Sequence, residues 1–72
     1  MKLAEIKNKI KVKLVAIQDS GIIKKRLYEL GLDKGSVFEV TKNNFGTVII
    51  LIGDTKFLIG EGLSKNIEVE LC

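Results

Sequence analysis

The sequence predicts a mainly β protein: a small antiparallel barrel of five short strands, with one short α-helix between strands 1 and 2. Several short segments alternate apolar and polar residues with a period of two, and Gly, Asn or Asp separates most of them. One segment instead has helical spacing and ends at a glycine. The chain has 72 residues, of which 46% are hydrophobic, so residues 1–72 are expected to form a single domain with a small aliphatic core.

The first segments predict a covering turn and an amphipathic strand. Leu3–Ile6 fits one short helical turn that covers the core. In residues 10–14 the apolar positions alternate with Lys11 and Lys13, which predicts a strand with one solvated face. The alternation slips in residues 15–17, so we expect either a β-bulge or a second covered face there.

A helix is predicted from Gly21 to Leu30. Asp19 and Ser20 precede it and offer N-cap side chains. About ten residues are too few for a helix that is stable alone, so this one must pack on the sheet. A buried stripe is expected at i, i+4 and i+7, namely Ile23, Leu27 and Leu30.

The end of this helix has the pattern of a Schellman stop. With Leu30 at the C-cap, Gly31 falls at C′, where the backbone is left-handed and glycine is favoured. Leu27 and Leu32 then occupy the C3 and C″ positions, which make the hydrophobic contact of that motif. Gly35 supplies a second permissive position before the next strand. We assign these five residues to architecture.

The rest of the chain predicts four more strands, joined by short turns. Asn43–Gly46 is expected to be a loop with a positive φ at its glycine, Gly53 and Asp54 form a two-residue hairpin connection, and residues 63–66 form a helical turn. The predicted strands are Val37–Lys42, Thr47–Ile52, Lys56–Ile59 and Ile67–Leu71.

Positive charge is concentrated in the first third of the chain. Residues 1–26 hold eight Lys or Arg and two acids, whereas residues 27–72 hold four Lys and seven acids. Lys24, Lys25 and Arg26 are placed in the first half of the helix, where they oppose its dipole. Two interpretations stay open: a solvated surface, or a basic face that binds an acidic partner, anionic lipid or nucleic acid.

Catalytic and metal-binding chemistry is scarce. The chain has no histidine and one cysteine, Cys72, so it lacks the commonest general base and metal ligand and has no thiolate pair. A P-loop motif is absent, and Glu68 and Glu70 fit solvated strand positions. We therefore expect no catalytic residue, no metal ligand, no cofactor and no enzymatic activity.

The same sequence predicts a cytoplasmic protein without membrane insertion. No apolar run approaches the roughly 18 residues needed to cross a bilayer. The N-terminus lacks the apolar region of a signal peptide, and one cysteine provides no disulfide framework.

The third strand is apolar on both faces. Ile49 and Leu51 would lie on the outer face of this strand, and its core residues would lie on the inner face. The helix or the N-terminal turn could cover this face, or another protein chain could, either a second copy or a different partner. We take Ile49 and Leu51, together with Lys24, Lys25 and Arg26, as candidate partner-binding residues.

The segment Arg26-Leu27-x-x-Leu30-Gly31-Leu32-x-x-Gly35 resembles the signature of the ferrous iron transport protein A family. The resemblance implies an SH3-like barrel and a small cytosolic accessory of ferrous iron transport protein B, a membrane transporter with a cytosolic GTPase domain. The resemblance also implies that the chain reaches the inner membrane only by binding that transporter. Family members are described as binding transition metals, but no ligand set is visible here.

The leading hypothesis is thus a non-enzymatic module that binds the transporter and modulates its uptake of ferrous iron. The same fold occurs as a domain of metal-dependent repressors, so a stand-alone metal-responsive regulatory domain is one alternative. A basic nucleic-acid-binding barrel is another, although the few aromatics disfavour base stacking.

Overall fold

The computed structural model describes residues 1–18 and 21–72. Asp19 and Ser20, the predicted helix cap, lie outside the described residues, as does the side chain of Ile23 in the predicted stripe. A 3₁₀ turn precedes the first strand. In chain order the elements are the 3₁₀ turn Leu3–Glu5, β1 Ile10–Ile17, α1 Gly21–Glu29, β2 Val37–Asn44, β3 Thr47–Ile52, β4 Thr55–Ile59, α2 Glu61–Ser64 and β5 Ile67–Leu71.

The five strands form one antiparallel sheet in the order β4-β3-β2-β1-β5, which confirms the predicted fold class. The register shifts between Leu14 and Ala16 in the β1–β5 pair, so the predicted bulge is present. The outer edge of β5 is covered by the N-terminal segment: Lys2 bridges to Glu68, and the N–H of Val69 donates to the carbonyl of Met1 at 2.7 Å.

The core is aliphatic and lies between the curved inner face of the sheet, the 3₁₀ turn and one side of α1. Leu3 and Ile6 are buried in it, as expected of a covering turn. The other buried hydrophobic side chains are Val12, Leu14, Ile17, Leu27, Leu32, Phe38, Val40, Val48, Ile50, Ile59, Ile67 and Val69.

The glycine stop of α1 has the predicted geometry. Leu32 N–H donates to Leu27 O at 2.8 Å, and Gly31 N–H donates to Tyr28 O at 3.0 Å, which are the two hydrogen bonds of a Schellman motif. Gly31 has φ +96° and Gly35 has φ +89°. The left-handed positions are therefore the two glycines that the sequence indicated.

Two details of α1 were predicted wrongly. Leu30 is not part of a buried stripe, since 47% of it is exposed; it lies beyond the last helical residue, where the chain has turned off the helix axis. Arg26 lies in the last turn of α1 and not in its first half. There a positive charge complements the helix dipole, worth roughly 0.3–1 kcal/mol.

Two connections also differ from the prediction. Asn43 and Asn44 continue β2, so the turn to β3 contains only Phe45 and Gly46. The helical turn after β4 begins at Glu61 and not at Leu63, because Gly60 accepts its first hydrogen bonds from Leu63 and Ser64. At the end of β2 the N–H of Asn43 also donates to Asn8 Oδ1 at 2.7 Å.

Candidate functional site

The three cationic residues of α1 do not form one surface. Lys24 lines a depression of about 210 Å³ beside β1, together with Val15 and Tyr28. Arg26 lines a different depression, on the β4 side of the helix. Lys25 is exposed and belongs to neither lining. The predicted basic face of the helix is therefore divided between two sides of α1.

The depression on the β4 side is an apolar groove of about 210 Å³ between α1 and β4. Leu30 is 47% exposed and Leu58 is 71% exposed, so the groove opens to solvent. The sequence contained a signal for it: Phe57, Leu58 and Ile59 are consecutive apolar residues of a strand, and one must face outward. The lining residues are Arg26, Leu27, Leu30, Leu32, Phe57, Leu58, Ile59 and Leu63.

The outer face of β3 is partly open. Ile49 and Leu51 are half-buried, while Val48 and Ile50 on the opposite face are fully buried. Segments of this chain therefore cover this face only in part, and the choice between cover from within the chain and cover by a partner stays open.

Neighbouring strands extend this face with both apolar and charged residues. Ile49 lies opposite Leu58 of β4, and Leu51 lies opposite Lys56. On the other side Leu51 lies opposite Glu39 of β2, and Val37 on the same face is 54% exposed. The result is an outward strip of apolar side chains bordered by charges, which we call the β3 outer face: Val37, Ile49, Leu51 and Leu58.

A third surface, at the β2–β3 turn, was not predicted. Phe45 is 93% exposed and has φ +54°, followed by Gly46 with φ +95°. Two positive φ values in a two-residue hairpin loop are the geometry of a type I′ turn, where Asn-Gly is the favoured sequence. A bulky aromatic at the first of these positions is uncommon.

An open cleft of about 670 Å³ lies beside this turn. Its walls come from the 3₁₀ turn and the segment after it, from the β2–β3 hairpin and from α2 with the residue that follows it. The residues that line it are Ala4, Glu5, Ile6, Lys7, Asn8, Asn43, Phe45, Gly46, Glu61 and Lys65.

Asn43 connects the hairpin to the N-terminal segment. Its Nδ2 donates to the carbonyl oxygens of Ala4, at 2.9 Å, and Ile6, at 2.6 Å. Its Oδ1 accepts from Gly46 N–H at 2.9 Å, and its own N–H donates to Asn8 Oδ1 at 2.7 Å. This side chain thus satisfies backbone groups of two segments distant in sequence, a role that composition and periodicity did not reveal.

Ser64 holds the same turn from the other side. It is completely buried, and its hydroxyl donates to the Gly46 carbonyl and contacts Glu61 O at 3.2 Å. A Cβ at Gly46 would lie 2.9 Å from Glu61 Cγ. Glycine is therefore required at position 46 both by φ and by the close approach of α2.

Four ion pairs join described residues, and all are at the surface. Lys65 Nζ lies 2.8 Å from Glu61 Oε1, and its hydrogen bond and positive charge lower the pKa of Glu61. Glu68 accepts from Lys2 at 2.9 Å and from the α-amino group of Met1 at 3.0 Å; these hydrogen bonds, first that of Lys2, lower its pKa. Glu70 pairs with Lys13 at 3.3 Å, so the two glutamates of β5 are both ion-paired.

Within residues 1–18 and 21–72, no group of three His, Cys, Asp or Glu side chains is placed to hold a metal ion. Cys72 is a free, exposed thiol. Among the described helices, none combines the length and the apolar character required to cross a bilayer.

Comparison with known proteins decides the family. The family model of the FeoA domain matches residues 1–71. The chain belongs to the FeoA family. This membership confirms the resemblance seen in the Arg26–Gly35 segment, and it supports a role in ferrous iron transport. FeoA is a family of small accessory domains and is not a known enzyme family.

Solved FeoA structures share the fold. An iron uptake regulatory protein (FeoA) in a crystal structure is 28% identical, with a TM-score of 0.85, over 96% of this chain and 93% of that chain. FeoA from Chlorobium tepidum, solved by NMR, is 19% identical, with a TM-score of 0.87, over 99% of this chain and 70% of that chain. These likenesses confirm the SH3-like barrel.

The FeoA fold also occurs within a longer protein. ScaR, in a crystal structure with bound Zn²⁺, is 18% identical, with a TM-score of 0.86, and this chain covers 37% of it. At that identity the likeness concerns the fold only. Comparison with curated proteins gives no match.

Proposed function

We propose that this chain is a non-enzymatic accessory protein of ferrous iron uptake, acting in the cytoplasm as one SH3-like domain over residues 1–72. Its partner is the membrane GTPase-type ferrous iron transporter, ferrous iron transport protein B, which it binds and modulates. The observation that carries this proposal is the match of the FeoA family over residues 1–71. Association with the inner membrane is peripheral and occurs through the transporter.

The β3 outer face and the adjoining groove support a role in binding. Ile49 and Leu51 are half-buried, and Leu58, opposite Ile49, is 71% exposed. A partner that covers these side chains would remove apolar surface from water, at about 25 cal/mol per Å² before the costs of association. Leu58 also lines the groove, so one partner surface can cover both.

Charge around these surfaces favours an acidic partner. Arg26 is exposed on the groove side of α1, and Lys24 and Lys25 are exposed on the same helix. Lys56 lies opposite Leu51 on the outer face. None of these four cations forms an ion pair with a residue that the structure describes, and carboxylates of an acidic partner would complement them.

A pull-down with the purified cytosolic domain of the transporter tests the proposal. Wild type should be captured, Ile49→Asp/Leu51→Asp should lose capture, and Lys24→Glu/Lys25→Glu should weaken it in a salt-dependent manner. Leu71→Asp is the matched control, since Leu71 is an exposed leucine at the other sheet edge. Absence of capture by wild type would refute the partner, and equal capture by both double variants would refute the surfaces.

A further inference from the structure

Strained backbone is concentrated at one end of the molecule. Among the described residues, the non-glycine residues with positive φ are Lys9, at +63°, and Phe45, at +54°. Lys9 N–H donates to Val40 O at 2.6 Å, and Asn8 Oδ1 accepts from Asn43 N–H at 2.7 Å, so residues 8 and 9 run beside the middle and the last part of β2. Both strained residues therefore lie at the hairpin end, which we define as Lys7, Lys9, Lys42 and Phe45.

The fold alone does not require these residue types. Glycine or asparagine adopts a left-handed backbone more easily than phenylalanine or lysine. Strain of this kind persists when the surroundings impose it, and it is common where a side chain serves a function. At position 45 the surroundings are the Asn43 and Ser64 hydrogen bonds to Gly46, which fix the turn from two sides.

Phe45 therefore has an exposed aromatic side chain on a turn whose backbone is held by hydrogen bonds. At 93% exposure, it gains little from burial within its own chain. A side chain on a rigid turn loses less conformational entropy on binding than one on a mobile loop. Aromatic residues of this kind are frequent hot spots of protein interfaces.

Charge indicates the chemistry of the partner. Lys7, Lys9 and Lys42 are exposed and form no ion pair with any described residue. Of the carboxylates nearby, Glu61 pairs with Lys65, and Glu5 accepts a hydrogen bond from the backbone N–H of Lys2 at 2.9 Å. A two-fold symmetric contact with a second copy would bring the same lysines face to face, which is unfavourable. These lysines favour a partner with an acidic surface.

Shape distinguishes a folded protein from a flat bilayer. Phe45 protrudes directly beside the 670 Å³ cleft, so the hairpin end has a projection and a hollow next to each other. A planar membrane would cover the projection and leave the hollow unfilled. A protein surface with a pocket and an adjacent ridge can fill both.

We propose that the hairpin end docks onto the transporter's cytosolic domain, with Phe45 entering an apolar pocket rimmed by carboxylates. This inference rests on the proposed function and assigns it a binding residue. Lys7, Lys9 and Lys42 lie against the acidic rim, and Phe45 supplies the apolar anchor.

Calorimetric titration of the transporter's cytosolic domain into wild type and Phe45→Asn tests the inference. Phe45→Asn restores the preferred Asn-Gly turn, so it should fold at least as stably as wild type while its Kd rises by about 30-fold. Phe45→Leu keeps an apolar side chain and should retain most of the affinity. Lys7→Glu/Lys42→Glu should raise the Kd at low salt, with less effect at high salt, and Leu71→Ala is the control.

The outcomes separate the two proposals. If wild type binds and Phe45→Asn has an unchanged Kd, the hairpin end is not the binding surface, but the proposal that the transporter is the partner still stands. No binding by wild type would overturn both. Sedimentation with phosphatidylglycerol vesicles tests binding to lipid. If wild type binds the vesicles, Phe45→Asn does not, and the Kd for the transporter is unchanged, then Phe45 contacts a membrane surface and the inference is overturned.

Discussion

Two regions of the molecule contain left-handed backbone but use different residues for it. One is the turn after α1, residues 30–35, which we call the corner, and the other is the hairpin end. At the corner the left-handed residues are Gly31 and Gly35. Leu27 and Leu32, which make the Schellman contact, are buried. At the hairpin end Gly46 is left-handed too, but so are two non-glycine residues, Lys9 and Phe45, and both have exposed side chains. The corner has the residues that stability favours, whereas the hairpin end keeps side chains that stability alone would replace.

The hydrogen bonds of Asn43 are the strongest test of how the hairpin end is held. Asn43→Ala removes three side-chain hydrogen bonds, leaving Ala4 O, Ile6 O and Gly46 N–H without this partner. At about 0.5–1.5 kcal/mol each, we expect a loss of about 2–3 kcal/mol in the free energy of unfolding, measured with urea. Asn44→Ala, one residue on and exposed, should change it little.

Gly31→Val tests the corner. A β-branched side chain at φ +96° is strained whatever space surrounds it, so the free energy of unfolding should fall by roughly 1–2 kcal/mol. Gly62→Ala is the control: Gly62 lies in α2 without a positive φ, and an added methyl group would meet no atom within 4 Å. That variant should be neutral or more stable by up to about 1 kcal/mol, and an unchanged melting temperature for Gly31→Val would refute the Schellman interpretation.

Phe45→Asn should raise the free energy of unfolding, whereas Gly31→Val should lower it. Because asparagine tolerates the left-handed region, relief of strain at φ +54° is expected to raise the free energy of unfolding by about 1 kcal/mol. Thermal unfolding measures this directly. A lower melting temperature would show that Phe45 stabilises the fold, and the contrast between corner and hairpin end would then disappear.

The smallest expected change in stability is at Glu68, which lies in neither of the two regions. Its pKa is lowered from 4.5 by the hydrogen bonds of Lys2 and the α-amino group. A depressed carboxyl pKa contributes stability above the unfolded value, and that stability is lost as the pH falls through the folded value. Glu68→Gln should therefore lower the melting temperature slightly at pH 7 but not near pH 3, whereas Gly31→Val should act equally at both pH values.

Local sequence signals determined most of the fold. Alternation marked β1 and β5, and the slip after Leu14 marked the bulge. The predicted bounds of β3 and β5 were correct at both ends. Leu27, Gly31 and Leu32 determined the helix stop because a Schellman motif is made from residues within one turn of each other. These features depend on neighbours in the chain, which a sequence displays directly.

The tertiary structure alone decided which side chains remain available for binding. Leu30, Leu58 and Phe45 are exposed. The sequence indicated that one residue of Phe57–Ile59 faces outward, but not that this residue is Leu58 or that it stays 71% exposed. Asn43 became a connector only when folding brought residues 4–8 beside β2. Contacts between distant segments set these properties, so they become visible only once the chain is folded.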